Sequence, residues 1–340
     1  MTFFYSLHSL TRRHLSLLER FFVALGISIL LYGLVHSLPV YPLYWDIVLV
    51  LAVFALTLWS PLVGYFVAII VAAYPLYSVS IYVAVLFLAI AIIGQHIFIQ
   101  NLGGTLLTIA SPLLGAIYLP WIIPLLGGLW WGAAGGALMG ALGALWGQIA
   151  AGMVGLDPDW IRLLGILPDM TYLPQHFATA DSLQTLLKLL DPLAPNSTGL
   201  LYHLLQVAIW AFAGWLVGML ADKEWMQYRR PKSTVALLAL GAPLISLLMI
   251  LANLWLGTTI STESWAGLGL TTLASAATAA ALEAGYDFFD HPLPLPRKIN
   301  LEIDREEEPA SPQPLPVPQG TSSEPDKDSK PDDLIMLELD

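Results

Sequence analysis

Nine apolar stretches follow one another between residues 21 and 284, and lipid is the only solvent in which such a chain can fold. They cover 21–38, 44–60, 62–79, 81–99, 105–121, 122–154, 200–221, 234–256 and 266–284. Most approach the roughly 20 apolar residues that cross a hydrocarbon layer. Only 11% of the residues are charged and the mean hydropathy is +0.71. A soluble domain carries about 25% charged residues, so polar side chains cannot cover this surface. The expected fold is an all-α, polytopic transmembrane helix bundle of about 8–10 membrane segments. Pro39, Pro42, Pro61 and the pair Gly103–Gly104 punctuate the short connections of the first half, as helix breakers should.

The basic residues orient these segments. Arg12, Arg13 and Arg20 precede the first run, which is too long for a signal-peptide core and is read as a retained span. Lys223, Arg229, Arg230 and Lys232 fall between the seventh and eighth runs, and Arg297 and Lys298 follow the last. All three regions are expected to be cytoplasmic. Loop 155–199 has only Arg162 and Lys188 against five aspartates, so it is expected outside. The expected division is a basic N-terminus (1–20), a first membrane half (21–154), the outer loop (155–199), a second half of three helices (200–285) and a tail (286–340). A bacterial plasma membrane with both termini cytoplasmic is the expected setting. The first half must then cross an odd number of times, yet it holds six runs. The suspect is 105–154, with Pro112, Pro120 and Pro124. It is expected to contain a re-entrant piece, or two short spans before a long glycine-rich helix.

That helix reads "GGLWWGAAGGALMGALGALWGQ". Gly128, Gly132, Gly136 and Gly140 recur every four residues, and Gly143 and Gly147 continue with a small drift. In lipid, apolar contact between helices gains little, whereas small residues let backbones approach. The six glycines are expected to form one groove along one helix face. The last run, "GLGLTTLASAATAAALEAG", is its expected partner, and Gly214 and Gly218 offer one more such step. Plain packing and a sliding or rocking interface are both open. Residues 119–147, with Pro124 ahead of the spaced glycines and alanines, resemble the proline-then-glycine-rich region of the substrate-binding membrane components of energy-coupling-factor vitamin transporters. The resemblance covers about thirty residues and brings no binding residue with it. This chain has more expected spans than that family's usual six.

Two segments of the outer loop carry helical apolar spacing. "DPDWIRLLGILP" places Trp160, Leu163, Leu164 and Leu167 on one face, with Asp157 as cap and Pro158 at the first helical position. "DSLQTLLKLLDP" repeats the pattern with Leu183, Leu186, Leu187 and Leu190. Both are expected to lie at the membrane interface or over the outer mouth of the bundle. The tail from 300 to 340 holds 12 acidic and 3 basic residues. Rich in proline, serine and acid, it is expected to be disordered. Leu334, Ile335, Met336, Leu337 and Leu339 stand in it as an apolar patch between acids, a candidate docking motif for a cytoplasmic protein partner. The acidity belongs to the tail and is no footprint for nucleic acid, which needs a basic patch.

Polar groups within the runs are the candidates for function, because they are costly in lipid. They are His36, Asp46, Gln95, His96, Gln148, His203, Gln206, Asn253 and Glu283. His203 and Gln206 share a helix face, and with Gln148 and His96 they are the candidate lining of a polar cavity, or else ordinary interhelical hydrogen-bond partners. The chain has no cysteine, and neither metal-binding nor nucleophile-elbow nor phosphate-loop motifs occur. No cofactor or metal is called for. Asp157 and Asp159 form a D-x-D, which holds a metal in some membrane glycosyltransferases, but capping explains them more simply. The expected function is a non-enzymatic membrane component that binds or passes a small neutral or apolar solute. The alternative is a membrane anchor or sensor whose tail recruits the partner.

Overall fold

A computed structural model describes residues 15–223, 232–257 and 261–290. The tail and its apolar motif lie outside these residues. All regular structure among the described residues is helical: α1 (Leu15–Ser37), α2 (Trp45–Trp59), α3 (Pro61–Val79), α4 (Ile81–Gln100), α5 (Leu102–Ile109), α6 (Ser111–Ala116) and α7 (Ile122–Met153). There follow α8 (Trp160–Leu163), α9 (Leu173–Phe177), α10 (Ser182–Leu190), α11 (Ser197–Ala221), α12 (Lys232–Trp255) and α13 (Thr262–Asp290). Six of them are long and apolar enough to cross a membrane, and α2 and the first part of α4 are shorter apolar helices. The chain is a multi-pass integral membrane protein built as an all-α bundle.

α7 is not one straight helix. Gly132 has φ 70° and ψ −175°, which breaks the helical path. A β-carbon at Gly136 would meet the backbone of Gly128, and one at Gly143 would lie 3.1 Å from Ile123. Residues twenty apart in sequence can touch only if the two arms fold back on each other. The arm after the turn, 133–153, is about 31 Å long and matches a hydrocarbon layer; the arm before it, 122–131, is about 15 Å. A side chain at Gly132 would be strained by its positive φ.

The groove expected along one face of a straight helix is therefore not what forms. Gly128 and Gly136 face each other across the hairpin instead of stacking along it. The expected partner also differs. α11 lies antiparallel to the long arm, with Gly218 against Gly132 and Ala133, Gly214 against Gly136, and the Trp210 carbonyl over Gly140. A β-carbon at Gly128 or Gly136 would strike the Gly214 carbonyl, so three backbones meet at one point. α13 touches the hairpin elsewhere, through Trp130, whose indole donates to Glu283 at 2.8 Å.

The hairpin gives the first half an odd number of passes between its two ends. Gly103 and Gly104 approach Trp131 and Met139, whereas Gly115 approaches Trp160. α5 and α6 thus climb from the end where the hairpin turns toward the outer loop. The chain reverses through Ile117–Trp121, where Tyr118 has φ 60°, and descends as the short arm. Non-helical backbone at this depth must be sheltered by protein, and Trp121 is buried with Ile123, Leu125 and Leu126. Leu38, Val79, Val83 and Met153 join Leu173, Phe177 and Leu189 in one cluster. The end of α1, the α3–α4 junction and the end of the long arm therefore share the face covered by the loop.

Candidate functional site

The outer loop enters the bundle at one place. Pro158 and Asp159 end an extended stretch, and α8 makes a single turn. Asp159, not Asp157, is its cap: Oδ1 accepts from the Ile161 amide at 3.0 Å. Asp157 Oδ1 instead accepts from the Asp159 amide at 3.1 Å, and its Oδ2 takes the Arg162 guanidinium at 2.6 Å. The i, i+3, i+4, i+7 stripe expected here is cut short because Leu164 is extended. Trp160 and Leu163 are buried, Leu164 is half-buried, and Leu167 is exposed.

Asp159 is the centre of a buried polar cluster. The same Oδ1 accepts from Gln206 Nε2 at 2.6 Å and from the Tyr202 hydroxyl at 3.0 Å. Gln206 Oε1 accepts from Gln148 Nε2 at 3.0 Å and from the Trp160 amide at 3.3 Å. Asn253 Nδ2 donates to the Tyr202 oxygen and to the Met249 carbonyl. The cluster joins the long arm (Gln148), α11 (Tyr202, Gln206) and α12 (Asn253) to the loop. Burial pushes the Asp159 carboxyl above its ordinary range, against the lowering effect of Gln206, Ile161 and Tyr202. Arg162 Nε stands 3.6 Å from its Oδ2.

Of the four residues expected to line a polar cavity, Gln148 and Gln206 come together. His203 contributes only its carbonyl, which accepts from Gln148 at 3.3 Å, while its ring Nδ1 turns to the Leu193 carbonyl at 2.8 Å. His96 lies on α4, and its side chain is outside the described residues. Asp159 and Tyr202 escaped the sequence reading as cluster members. Tyr202 falls four residues before Gln206, one helical turn away on the same face, and that spacing was the available signal.

Trp160 is held on all sides. Its ring packs on Trp210 with centroids 4.6 Å apart and planes inclined by 35°. Its Nε1 donates to the Ala144 carbonyl at 3.0 Å. Gly147 and Gly115 leave the room: a β-carbon at either would press on the indole. Three fully buried polar atoms nearby, Gln148 Oε1, Trp210 Nε1 and Ser111 Oγ, have no hydrogen-bond partner among the described residues.

The second loop helix behaves differently. α10 starts with a reciprocal cap, Asp181 accepting from the Gln184 amide and Gln184 reaching back to the Asp181 amide. Thr185 and Leu189 face inward, and Leu183, Leu186, Leu187 and Leu190 are all exposed. Glu283, one of the polar groups within the last run, is buried, with Trp130 as its donor.

With Asp157 engaged by Arg162 and Asp159 by three donors, the D-x-D works as loop scaffolding. Comparison with known protein families, curated proteins and solved structures finds no match to this chain.

Proposed function

We propose that the protein is a non-enzymatic membrane component that binds or passes a small neutral solute at the outer end of the long arm, α11 and α12. The observation that supports this most is the insertion of 158–163 against the long arm and α11. A loop segment, rather than a helix of the bundle, closes over the side chains of Gln148, Tyr202, Gln206 and Asn253. Carboxamides and a hydroxyl suit an uncharged polar solute, and the buried lining offers it no free cation or metal ligand set. The first helical amides of the short arm are already used: Ile122 donates to Leu119, Ile123 to Pro120, and Pro124 has no N–H. A half-helix whose N-terminus is closed in this way does not present donors to an anion. Lys223, next to the Asp222 that faces the hairpin turn, supports a reading with that side in the cytoplasm and the loop outside, as in a bacterial plasma membrane protein.

The test is flux in proteoliposomes holding the full chain, with a panel of small uncharged solutes. Saturable flux of at least one solute, reduced by Gln206→Leu, is the expected result. Absence of flux and of any ligand-induced rise in melting temperature would overturn the reading. The anchoring alternative would then be examined through recovery of a soluble protein by residues 300–340.

A further inference from the structure

The slot that Trp160 fills has the features of a ligand site already occupied by the protein's own indole. Its floor is Gly147 and its wall Gly115. Trp210 supplies a stacking face, and the Ala144 carbonyl supplies one acceptor for a ring N–H. Around it, Ser111 Oγ, Trp210 Nε1 and Gln148 Oε1 are fully buried polar atoms without a protein partner among the described residues. Buried polar atoms without a partner are costly, so their clustering about one side chain is a sign of capacity for a bound molecule. Ser111 Oγ stands 3.2 Å from where a Gly147 β-carbon would be, beside the indole edge.

Gly155 and Gly165 bracket the segment that delivers Trp160, with φ of 78° and 80°. Between them lies one helical turn, held outside by the exposed Arg162–Asp157 pair and inside by the bonds of Asp159 and the Trp160 amide to Gln206.

We propose that this slot takes a flat, neutral aromatic molecule carrying one ring-borne hydrogen-bond donor, of the indole type, and that Trp160 is the plug this ligand displaces. The proposal rests on the solute-binding reading above and narrows its solute class. Stacking selects flatness. The Ala144 carbonyl selects a donor, since a methylated ring nitrogen would leave it unpaired. The glycine floor limits width.

The chain has no cysteine, so a single reporter is unambiguous. Leu163→Cys places a thiol on the buried side of α8 with Trp160 intact. In the full chain, reconstituted in nanodiscs, indole is expected to speed modification of this thiol by an aqueous maleimide by about tenfold. 1-Methylindole, lacking the donor, is expected to need about tenfold higher concentration, the equivalent of one hydrogen bond. In a second arm, Trp160→Ala is expected to bind indole with 1:1 stoichiometry and at least tenfold more tightly than the parent protein. An unchanged labelling rate, or equal action of indole and 1-methylindole, would overturn the proposal. If Trp160→Ala does not fold, the thiol reporter still decides. Flux of non-aromatic neutral solutes without an indole effect would leave the solute-binding reading standing and remove only this one. Absence of both would remove both.

Discussion

The two amphipathic segments of the outer loop carry the same leucine spacing and end in opposite places. Trp160 and Leu163 are buried in the bundle. Leu183, Leu186, Leu187 and Leu190 all face outward. The difference lies in what stands behind each segment. Behind α8 are Gly115 and Gly147, which leave a slot, and the carboxamide of Gln206, which binds the Trp160 amide and Asp159 and is itself held by Gln148. Behind α10 is a surface that accepts only Thr185 and Leu189. An apolar stripe specifies that one face avoids water, and the neighbouring surface decides whether protein or lipid covers it.

Substitutions can break or sharpen this contrast. Trp160→Ala is expected to have the largest effect, about 3–5 kcal/mol, as for other buried large-to-small changes; calorimetry in detergent would show it, and an unchanged melting temperature would mean the slot contributes nothing to the fold. Gly165→Ala comes next, at more than the roughly 1–2 kcal/mol of a left-handed non-glycine residue, because its β-carbon also meets the Tyr118 ring. Gly155→Ala meets nothing within 4 Å and should cost only the conformational part, so the two variants separate strain from collision.

Acidity offers a further test of the inward segment. Burial raises the Asp159 pKa in the folded state. The folded chain then holds this proton more tightly than the unfolded chain. The resulting stability is fully present below the ordinary carboxylate range and is lost as pH rises through the raised value. The difference in melting temperature between the parent protein and Asp159→Asn should therefore shift in the parent's favour as pH is lowered from 7 toward 4. A difference independent of pH would mean that Asp159 does not titrate differently on folding. The smallest effect is expected for Leu187→Ser, within about 0.5 kcal/mol for the bundle, with faster hydrogen exchange confined to 182–190. A large loss of stability there would show that α10 is covered by protein rather than lipid.

Much of the architecture was legible in the sequence. Apolar run length marks helices in lipid without reference to the fold, because hydrocarbon leaves an unpaired backbone group no alternative partner; Pro39, Pro42 and Pro61 fall at helix ends, whereas the pair Gly103–Gly104, expected as a break, lies inside α5. An aspartate was readable as the cap of the first loop helix, although that cap proved to be Asp159 and not Asp157. The polar residues Gln148 and Gln206 stood out for their cost in lipid. Their meeting was expected as part of a polar cavity with His203 and His96; that Asp159 of the loop would join them was not, since a capping aspartate carries no sign of the helix it will face.

The glycines show the boundary most clearly. Their four-residue step told of close backbone approach, a local property of having no β-carbon. It could not tell that Gly132 is a turn, that Gly128 and Gly136 oppose each other, or that α11 rather than α13 fills the space. A glycine permits helix and left-handed turn alike, so the choice falls to the packing of distant segments. The sequence by itself determined a membrane bundle of helices, its breaks and its costly polar groups, because each follows from a residue and its immediate neighbours. Only the tertiary structure decided where the chain folds back and which indole enters the slot over Gly147, because those depend on surfaces that do not exist until the helices have met.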